Sequence, residues 1–168
     1  MLLVVCDSSP LIYLARLDRF DLLRQLHEAV LVPPAVWDEV AVQGADLPEG
    51  KETKRACAEG WLTVSKPQSH LTISAADAED LDPGEEEAIQ LAIEKNCLLA
   101  IDEKHGRYVA AKLGLKVIGT VGLLIRGRRE GIISSLRAEP DRLRSETTFR
   151  MSESLYRDAL LAVAEQIP

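Results

Sequence analysis

Continuous apolar runs alternate with stretches of helix-like spacing along most of this chain. Apolar runs without a polar residue at every second position are typical of strands buried on both faces of a parallel sheet. Four runs fit this pattern, at residues 2–6, 62–64, 97–101 and 115–118, and residues 30–32 offer a fifth. The pattern therefore predicts a central parallel sheet of four or five strands.

Helix start signals follow most of these strands. The clearest signals combine a capping side chain with a proline at the first helical position, as in Ser9–Pro10 and Asp82–Pro83. The predicted helices cover about residues 9–27, 34–40, 51–58, 83–96, 104–112 and 120–125, with a last amphipathic helix after Ser152. Residues 65–80 are polar and are predicted to form a loop.

The alternation of strands and helices defines the expected fold class. It predicts a three-layer α/β/α arrangement, in which helices cover both faces of the parallel sheet. A length of 168 residues fits one domain, residues 1–168, with C-terminal helices from about residue 133 packing on it. In this architecture ligands bind at the carboxyl ends of the strands.

Two aspartates follow directly on predicted strands. Asp7 comes after the first apolar run, and Asp102 comes after the run at residues 97–101. Because parallel strands end at the same edge of a sheet, we expect both carboxylates in one functional site. Ser8 and Ser9 can cap the helix that follows Asp7, which leaves the carboxylate of Asp7 free for another role.

Two glutamates on predicted helices add to these acids. Glu85 is three residues after the cap Asp82, where glutamate completes a capping box, but it also starts the apolar stripe of its helix and so points inward. Glu39 flanks the apolar face of the helix after Pro34, and a place on the solvated surface fits it nearly as well. For both glutamates the structural and the functional interpretation stay open.

The four acids offer a site of oxygen donors alone. Carboxylates without histidine or cysteine suit a hard cation such as Mg²⁺ or Mn²⁺. Unpaired carboxylates that lie close together repel each other, and their pKa values rise unless a cation joins them. Such a cation can activate water and neutralise developing charge during phosphodiester hydrolysis. The acids therefore predict metal-dependent hydrolysis.

The charge of the chain is unevenly distributed. The net charge of −7 disfavours a nucleic-acid partner, because phosphate contacts need Lys and Arg. However, residues 1–103 carry 8 Lys or Arg and 20 Asp or Glu, whereas residues 104–168 carry 12 and 7. An acidic centre beside a basic rim is compatible with RNA, although simple solvation explains most of these charges.

Hydropathy and the spacing of the cysteines indicate the cellular compartment of the protein. No apolar run approaches the roughly 20 residues that span a bilayer, and the first six residues are shorter than the core of a signal peptide. The three cysteines are widely spaced and fit neither a disulfide framework nor a zinc site. We expect a cytoplasmic protein without a membrane partner.

Four motifs carry a resemblance to a known family. They are V-V-C-D-S-S-P-L-I-Y-L, V-P-P-A-V-W-D-E-V, L-D-P-G-E-E-E-A-I-Q-L-A and L-L-A-I-D-E-K-H-G-R. Together they resemble PIN-domain proteins, of the kind found as the ribonuclease toxins of bacterial and archaeal toxin–antitoxin pairs. The later segments G-L-K-V-I-G-T-V-G-L-L and F-R-M-S-E-S-L-Y resemble a PIN subfamily described mainly as an uncharacterised domain. The resemblance spans nearly the whole chain.

The resemblance implies roles for particular residues. The metal-binding acids of the family fall on Asp7, Glu39, Glu85 and Asp102. Ser9 falls on a polar neighbour of the first acid, and Glu103, directly after Asp102, is either an extra ligand or a bystander. Arg107 could contact a substrate phosphate or pair with a site carboxylate. Ala100 stands where many members have a hydroxyl two residues before the last aspartate, which makes weak activity more plausible.

The resemblance also implies an activity and partners. It implies Mg²⁺- or Mn²⁺-dependent cleavage of single-stranded RNA, an antitoxin whose peptide arm covers the acidic pocket, and often a homodimer. Two other functions stay open: a catalytically silent PIN-like module that binds RNA or protein, and a phosphatase or receiver-like phosphate-handling domain. Phosphatases of that type place a second aspartate two residues after the first, where this chain has Ser9.

Overall fold

The computed structural model, which describes residues 2–68 and 73–165, has an α/β fold around a five-stranded parallel sheet. The strands are β1 (Leu3–Cys6), β2 (Ala29–Val32), β3 (Leu62–Val64), β4 (Leu98–Ala100) and β5 (Val117–Ile118). Their order is β3-β2-β1-β4-β5, and every neighbouring pair is parallel. The predicted fold class is confirmed.

Helices connect these strands and follow the last of them. They are α1 (Ser8–Arg16), α2 (Leu22–Leu26), α3 (Pro34–Trp37), α4 (Pro48–Ala58), α5 (Ala75–Ala78), α6 (Pro83–Lys95), α7 (Lys104–Lys112), α8 (Thr120–Arg129), α9 (Ala138–Glu146) and α10 (Glu153–Ala162). A π-helix (Asp38–Gln43) continues directly from α3. Within the described residues, none of the helices is long and apolar enough to cross a membrane.

The two faces of the sheet bury two separate hydrophobic clusters. Val4 and Cys6 point to one face, where they pack with residues of α1, α2, α8, α9 and α10. Val5 points to the other face, as Leu99 does, and packs with residues of α6 and α7. Successive side chains of a strand alternate between faces, so a continuous apolar run fills both clusters. Helices therefore cover the sheet on both sides.

The central position of β1 decides where the site lies. From β1 the chain moves outward to β2 and β3, then returns to the opposite side of β1 to form β4 and β5. A change of direction of this kind opens a crevice at the carboxyl ends of the two strands that flank it. Here those strands are β1 and β4, and the backbone N–H of Asp7 donates to the Ala100 carbonyl oxygen at 3.0 Å. The residues that follow β1 and β4 therefore share one edge of the sheet.

Some predicted helix bounds are wrong. The helix expected over residues 9–27 is two helices, because α1 ends at Arg16 and Asp18 has a φ of 56°, which an α-helix cannot contain. Residues 65–80 were expected to be loop, but Ser74 caps the short α5; residues 69–72 lie outside the described residues. The strands predicted over residues 97–101 and 115–118 are shorter than expected.

The sequence did not predict α9, Ala138–Glu146, as a separate helix. This helix is polar, and a tertiary contact fixes it. Glu139 is buried, and its Oε1 accepts hydrogen bonds from Arg19 at 2.7 and 3.0 Å. Since the partner is 120 residues away, no local pattern could reveal this contact.

The close approach of Gly50 positions the end of the π-helix. A Cβ atom at Gly50, in the first turn of α4, would overlap the carbonyl oxygen of Gly44 and lie 2.9 Å from that of Val40. Only glycine lets two backbone segments approach this closely. The start of α4 therefore packs directly on the end of the π-helix, which carries Glu39.

We expect Gly50→Ala to lower the free energy of unfolding by about 3 kcal/mol, because the added methyl group must push α4 away from the π-helix. Urea unfolding followed by circular dichroism measures this change. Lys51→Ala, at the exposed neighbouring position, is the control and should change the free energy by less than about 0.5 kcal/mol. Equal stability of Gly50→Ala and the unaltered chain would contradict the packing argument.

Candidate functional site

Asp7 lies at the end of the central strand and holds a buried carboxylate. The residue is 3% exposed, and although it occupies the N-cap position of α1, its side chain makes no capping hydrogen bond. Burial raises the pKa of Asp7 to about 8; the Ser8 backbone N–H opposes this, and the charges of Asp82, Glu85 and Glu39 add to it. Such a carboxylate is a strong candidate for cation binding.

The start of α6 brings two more acids to Asp7. Asp82 Oδ1 accepts from the Glu85 backbone N–H at 2.7 Å, and Glu85 Oε2 accepts from the Asp82 N–H at 2.9 Å, which forms a capping box. Glu85 is nevertheless buried, and its burial raises its pKa. A Cβ atom at Gly84 would lie 3.2 Å from Asp82 Oδ1 and 3.6 Å from Asp7 Oδ1. Glu85 therefore caps its helix and also forms an acidic cluster with Asp7 and Asp82.

Glu39 reaches the cluster from the π-helix. Its side chain is exposed, and its Oε2 accepts a hydrogen bond of 2.5 Å from the hydroxyl of the buried Ser8. The helix that precedes it is tied to α6, because the Ala35 N–H donates to Glu87 Oε2 at 2.8 Å. This bond supplies the N-terminus of α3 with an acceptor and fixes its position beside Asp7.

Asp102 lies beside this cluster and is held by Thr120. Its Oδ1 accepts from the Thr120 N–H at 2.8 Å, and its Oδ2 accepts from the Thr120 hydroxyl at 2.6 Å. Burial raises the pKa of Asp102, whereas both bonds from Thr120 and the charge of Arg107 lower it. A Cβ atom at Gly119 would lie 2.8 Å from Asp102 Oδ1, so a side chain there would displace this carboxylate. Thr120 therefore fixes the orientation of this carboxylate.

The other predicted site residues differ in their contacts. Arg107 Nη1 donates to the Ile101 carbonyl oxygen at 2.9 Å, which holds its charge next to Asp102. Glu103 is exposed, and its charge raises the pKa of Glu85 and Asp102. Ser8, next to Ser9 in the chain, donates its hydroxyl to the candidate acid Glu39. The role of Ser9 as a polar neighbour of Asp7 stays a prediction.

The donor set fits a hard divalent cation, but its carboxylates are turned toward protein donors. Among residues 2–68 and 73–165, no three His, Cys, Asp or Glu side chains lie close enough together to hold a metal ion. Hydrogen bonds from protein groups hold the carboxylates of Glu39, Glu85 and Asp102 in orientations that do not converge. The chemistry still fits, because the cluster contains only oxygen donors and its charges raise the pKa of Asp7. A bound cation would compete with Ser8 and Thr120 for the same oxygens.

Three residues of the site were missed by sequence reasoning. Ser8 and Asp82 were read only as helix caps, and Thr120 only as the start of a helix. Thr120 carried a usable signal, because it lies two residues after the end of β5, much as Asp7 and Asp102 follow their strands. The carboxyl end of every predicted strand therefore deserves inspection for hydroxyls as well as for acids.

Comparisons with known proteins show what this chain is similar to. A family model described as a PIN domain matches residues 3–165, which is nearly the whole chain. The match includes all four of the acids that the sequence selected.

A solved structure shows the same fold. A PilT N-terminus domain protein from the hyperthermophilic archaeon Sulfolobus solfataricus P2 superposes with a TM-score of 0.53 and 18% identity, over 73% of this chain and 90% of that one. At that identity the likeness shows the fold alone. No curated protein matches this chain.

In metal-free buffer, we expect the melting temperature to fall as the pH rises from about 4 to about 8. The pKa of Asp7 is about 8 in the folded state, against about 4 in the unfolded chain. Asp7 is therefore neutral in both states below pH 4, and above pH 8 the fold must bury its charge. Asp7→Asn removes this dependence and should raise the melting temperature at pH 8.

Thermal unfolding in EDTA from about pH 4 to about pH 9 covers that range and measures the effect. Asp158→Asn, at an exposed position of α10, controls for the loss of one negative charge. If Asp7→Asn and the control show the same pH dependence, then Asp7 does not carry a buried charge at alkaline pH.

Proposed function

Since this chain belongs to the PIN-domain family, we propose that it is a metal-dependent endoribonuclease that hydrolyses phosphodiester bonds in single-stranded RNA. PIN domains are generally nucleases, and they typically use divalent metals. One observation carries the proposal for this chain: the buried carboxylate of Asp7 lies among the charges of Asp82, Glu85 and Glu39, at the crevice between β1 and β4. Excess buried negative charge of this kind is stabilised by a cation.

In this proposal Asp7, Glu39, Glu85 and Asp102 hold Mg²⁺ or Mn²⁺. When bound, the cation lowers the pKa of a water molecule and neutralises charge on the phosphate. Thr120 orients the carboxylate of Asp102 through its two hydrogen bonds. Arg107, held by the Ile101 carbonyl oxygen, keeps a positive charge beside that carboxylate, where a phosphate could bind it.

The hydroxyl that is absent at Ala100 has a substitute in Thr120. Ala100 is buried within β4 and offers the site no polar group. The Thr120 hydroxyl reaches Asp102 from the start of α8 instead, at 2.6 Å. This contact supports retained activity, although residue 100 departs from the common pattern of the family.

We extend the proposal to partners by analogy with the family. PIN-domain proteins typically bind RNA and often pair with antitoxins. We propose that this chain is the toxin of such a pair or a relative of one, that it works in the cytoplasm, and that it forms a homodimer. Membership of the PIN-domain family argues against the phosphatase or receiver-like alternative.

One observation favours a second function, a catalytically silent RNA-binding module. The carboxylates of Glu39 and Asp102 are bound by protein hydroxyls, and within the described residues no three acids converge on one point. A silent module would keep these bonds in the presence of metal. Metal-dependent turnover separates the two functions.

We expect cleavage of labelled single-stranded RNA with Mn²⁺ or Mg²⁺ and no cleavage in EDTA. Asp7→Asn, Glu39→Gln, Glu85→Gln and Asp102→Asn should each lower the rate about 100-fold or more, since each removes a proposed ligand. Asp38→Asn, next to Glu39 but bonded to Gln43, is the matched control and should keep the rate.

Two readouts together decide between the functions. Cleavage that disappears in the acid variants and persists in Asp38→Asn supports the nuclease. No cleavage with either metal, together with an unchanged melting temperature on addition of Mn²⁺, would exclude the nuclease and favour the silent module.

We expect Thr120→Val to lower the rate of metal-dependent cleavage about 10- to 100-fold, because Asp102 loses the hydroxyl that orients it. Thr120→Ser keeps the hydroxyl and should stay within about threefold of the unaltered chain. The Mn²⁺ concentration for half-maximal rate is the second measurement, and it should rise only in Thr120→Val. Equal rates and Mn²⁺ dependence of the two variants would show that the hydroxyl has no part in the site.

A further inference from the structure

A large cavity lies beside Asp102, one of the four proposed metal ligands. Its volume is about 950 Å³, and Asp102 is one of its lining residues. The remaining lining comes from α1, α7, β5, α8 and α10 and from residues 148–150, between α9 and α10. A chain molecule with one group at Asp102 could therefore extend directly into this cavity.

Much of the cavity lining is apolar and aromatic. Val117, Ile118 and Ile125 contribute aliphatic side chains. Tyr13 and Phe149 contribute two aromatic rings that meet edge to face, with ring centroids 5.0 Å apart and an interplanar angle of 86°. Such a contact holds Phe149, from the segment after α9, against α1. The cavity thus presents fixed aromatic and aliphatic surface beside the proposed metal site.

The polar part of the lining is unusually cationic for this chain. Lys104, Arg107 and Arg150 line the cavity, against two acids, Asp102 and Glu103, although the whole chain has a net charge of −7. Lys104 and Arg150 are exposed, and neither forms an ion pair within residues 2–68 and 73–165. The basic C-terminal part of the chain therefore supplies free cations at this position.

We propose that this cavity is a base-binding subsite, in which an unpaired nucleobase of single-stranded RNA stacks against Phe149 while adjacent phosphates contact Lys104 and Arg150. The proposal rests on the proposed function, because it places a nucleotide next to the bond to be cleaved. Proteins usually bind single-stranded nucleic acids by stacking the bases on aromatic side chains while cationic side chains contact the phosphates. The volume lies in the range of pockets that hold a small ligand or a nucleotide.

Binding of two labelled oligomers tests the base and the phosphate contacts separately. One oligomer is a short oligoadenylate; the other is an abasic ribose-phosphate chain of the same length, which keeps the phosphates and lacks the bases. Fluorescence anisotropy in EDTA at low salt measures affinity without cleavage. The unaltered chain should bind the oligoadenylate about tenfold more tightly than the abasic chain.

Variants of the lining assign this difference to residues. Phe149→Leu keeps an apolar side chain, and it should weaken oligoadenylate binding about tenfold while leaving the abasic chain unaffected. Arg150→Gln should weaken binding of both oligomers by a similar factor, since it removes a phosphate contact. Arg157→Gln, an exposed arginine of α10 outside the lining, is the matched control and should change neither affinity by more than about twofold.

A second pair of variants does not depend on the packing of Phe149. Leu155 lines the cavity and is 40% exposed; Leu161 lies on the same helix, is 59% exposed and lies outside the lining. Leu155→Glu should weaken binding of both oligomers about tenfold by phosphate repulsion, whereas Leu161→Glu should not. Circular dichroism and melting temperature confirm that each variant is folded.

The outcomes separate this proposal from the proposed function. Equal affinity for the two oligomers, or a Phe149→Leu effect of the same size on both, overturns the base subsite even if metal-dependent cleavage is found. The absence of binding to either oligomer also overturns it, and a protein segment then becomes the better ligand for the cavity. Base-dependent binding that is lost in Phe149→Leu supports the subsite even if no cleavage is detected.

Discussion

The burial of one carboxylate is the constraint on which the rest of this structure depends. Asp7 follows the central strand β1, which is covered on both faces, and the fold leaves its side chain 3% exposed. Burial and neighbouring acids raise its pKa to about 8, so the charged form is unfavourable in the protein without a cation. The surrounding hydrophobic clusters must supply the stability that holds this group in place. A site that is unfavourable alone and favourable with a cation is what metal-dependent chemistry requires.

Hydrogen bonds from hydroxyl groups stabilise the neighbouring carboxylates of Glu39 and Asp102. Glu39 takes a hydrogen bond from Ser8, and Asp102 takes two from Thr120. These bonds keep the acids apart and limit their repulsion. In the proposed metal site, a cation would have to replace these bonds before it could bring the acids together. If the proposed metal site is correct, its affinity for metal and the stability of the metal-free protein are opposed, and the hydroxyls of Ser8 and Thr120 set the balance between them.

The fold brings the acidic first part and the basic second part of the chain together. The acidic first part supplies Asp7 and the start of α6, whereas the basic second part supplies Lys104, Arg107 and Arg150 to the cavity beside Asp102. Acids and cations thus meet at one edge of the sheet. A polyanion such as RNA would meet attraction from the cavity side and, through a cation, from the cluster side. Net charge alone would have hidden this arrangement.

The sequence by itself determined the features that depend on neighbours along the chain. Apolar runs located all five strands, the capping box of Asp82 and Glu85 located the start of α6, and the position after a strand singled out Asp7 and Asp102. Whether these acids bind metal is still a prediction. Only the tertiary structure decided the features that depend on distant partners. It placed β1 between β2 and β4. It also brought Glu39, on the π-helix, within hydrogen-bond distance of the Ser8 hydroxyl, and it joined Thr120 to the carboxylate of Asp102, 18 residues away. Local propensity cannot specify such contacts, because their energy exists only after the sheet has brought the segments together.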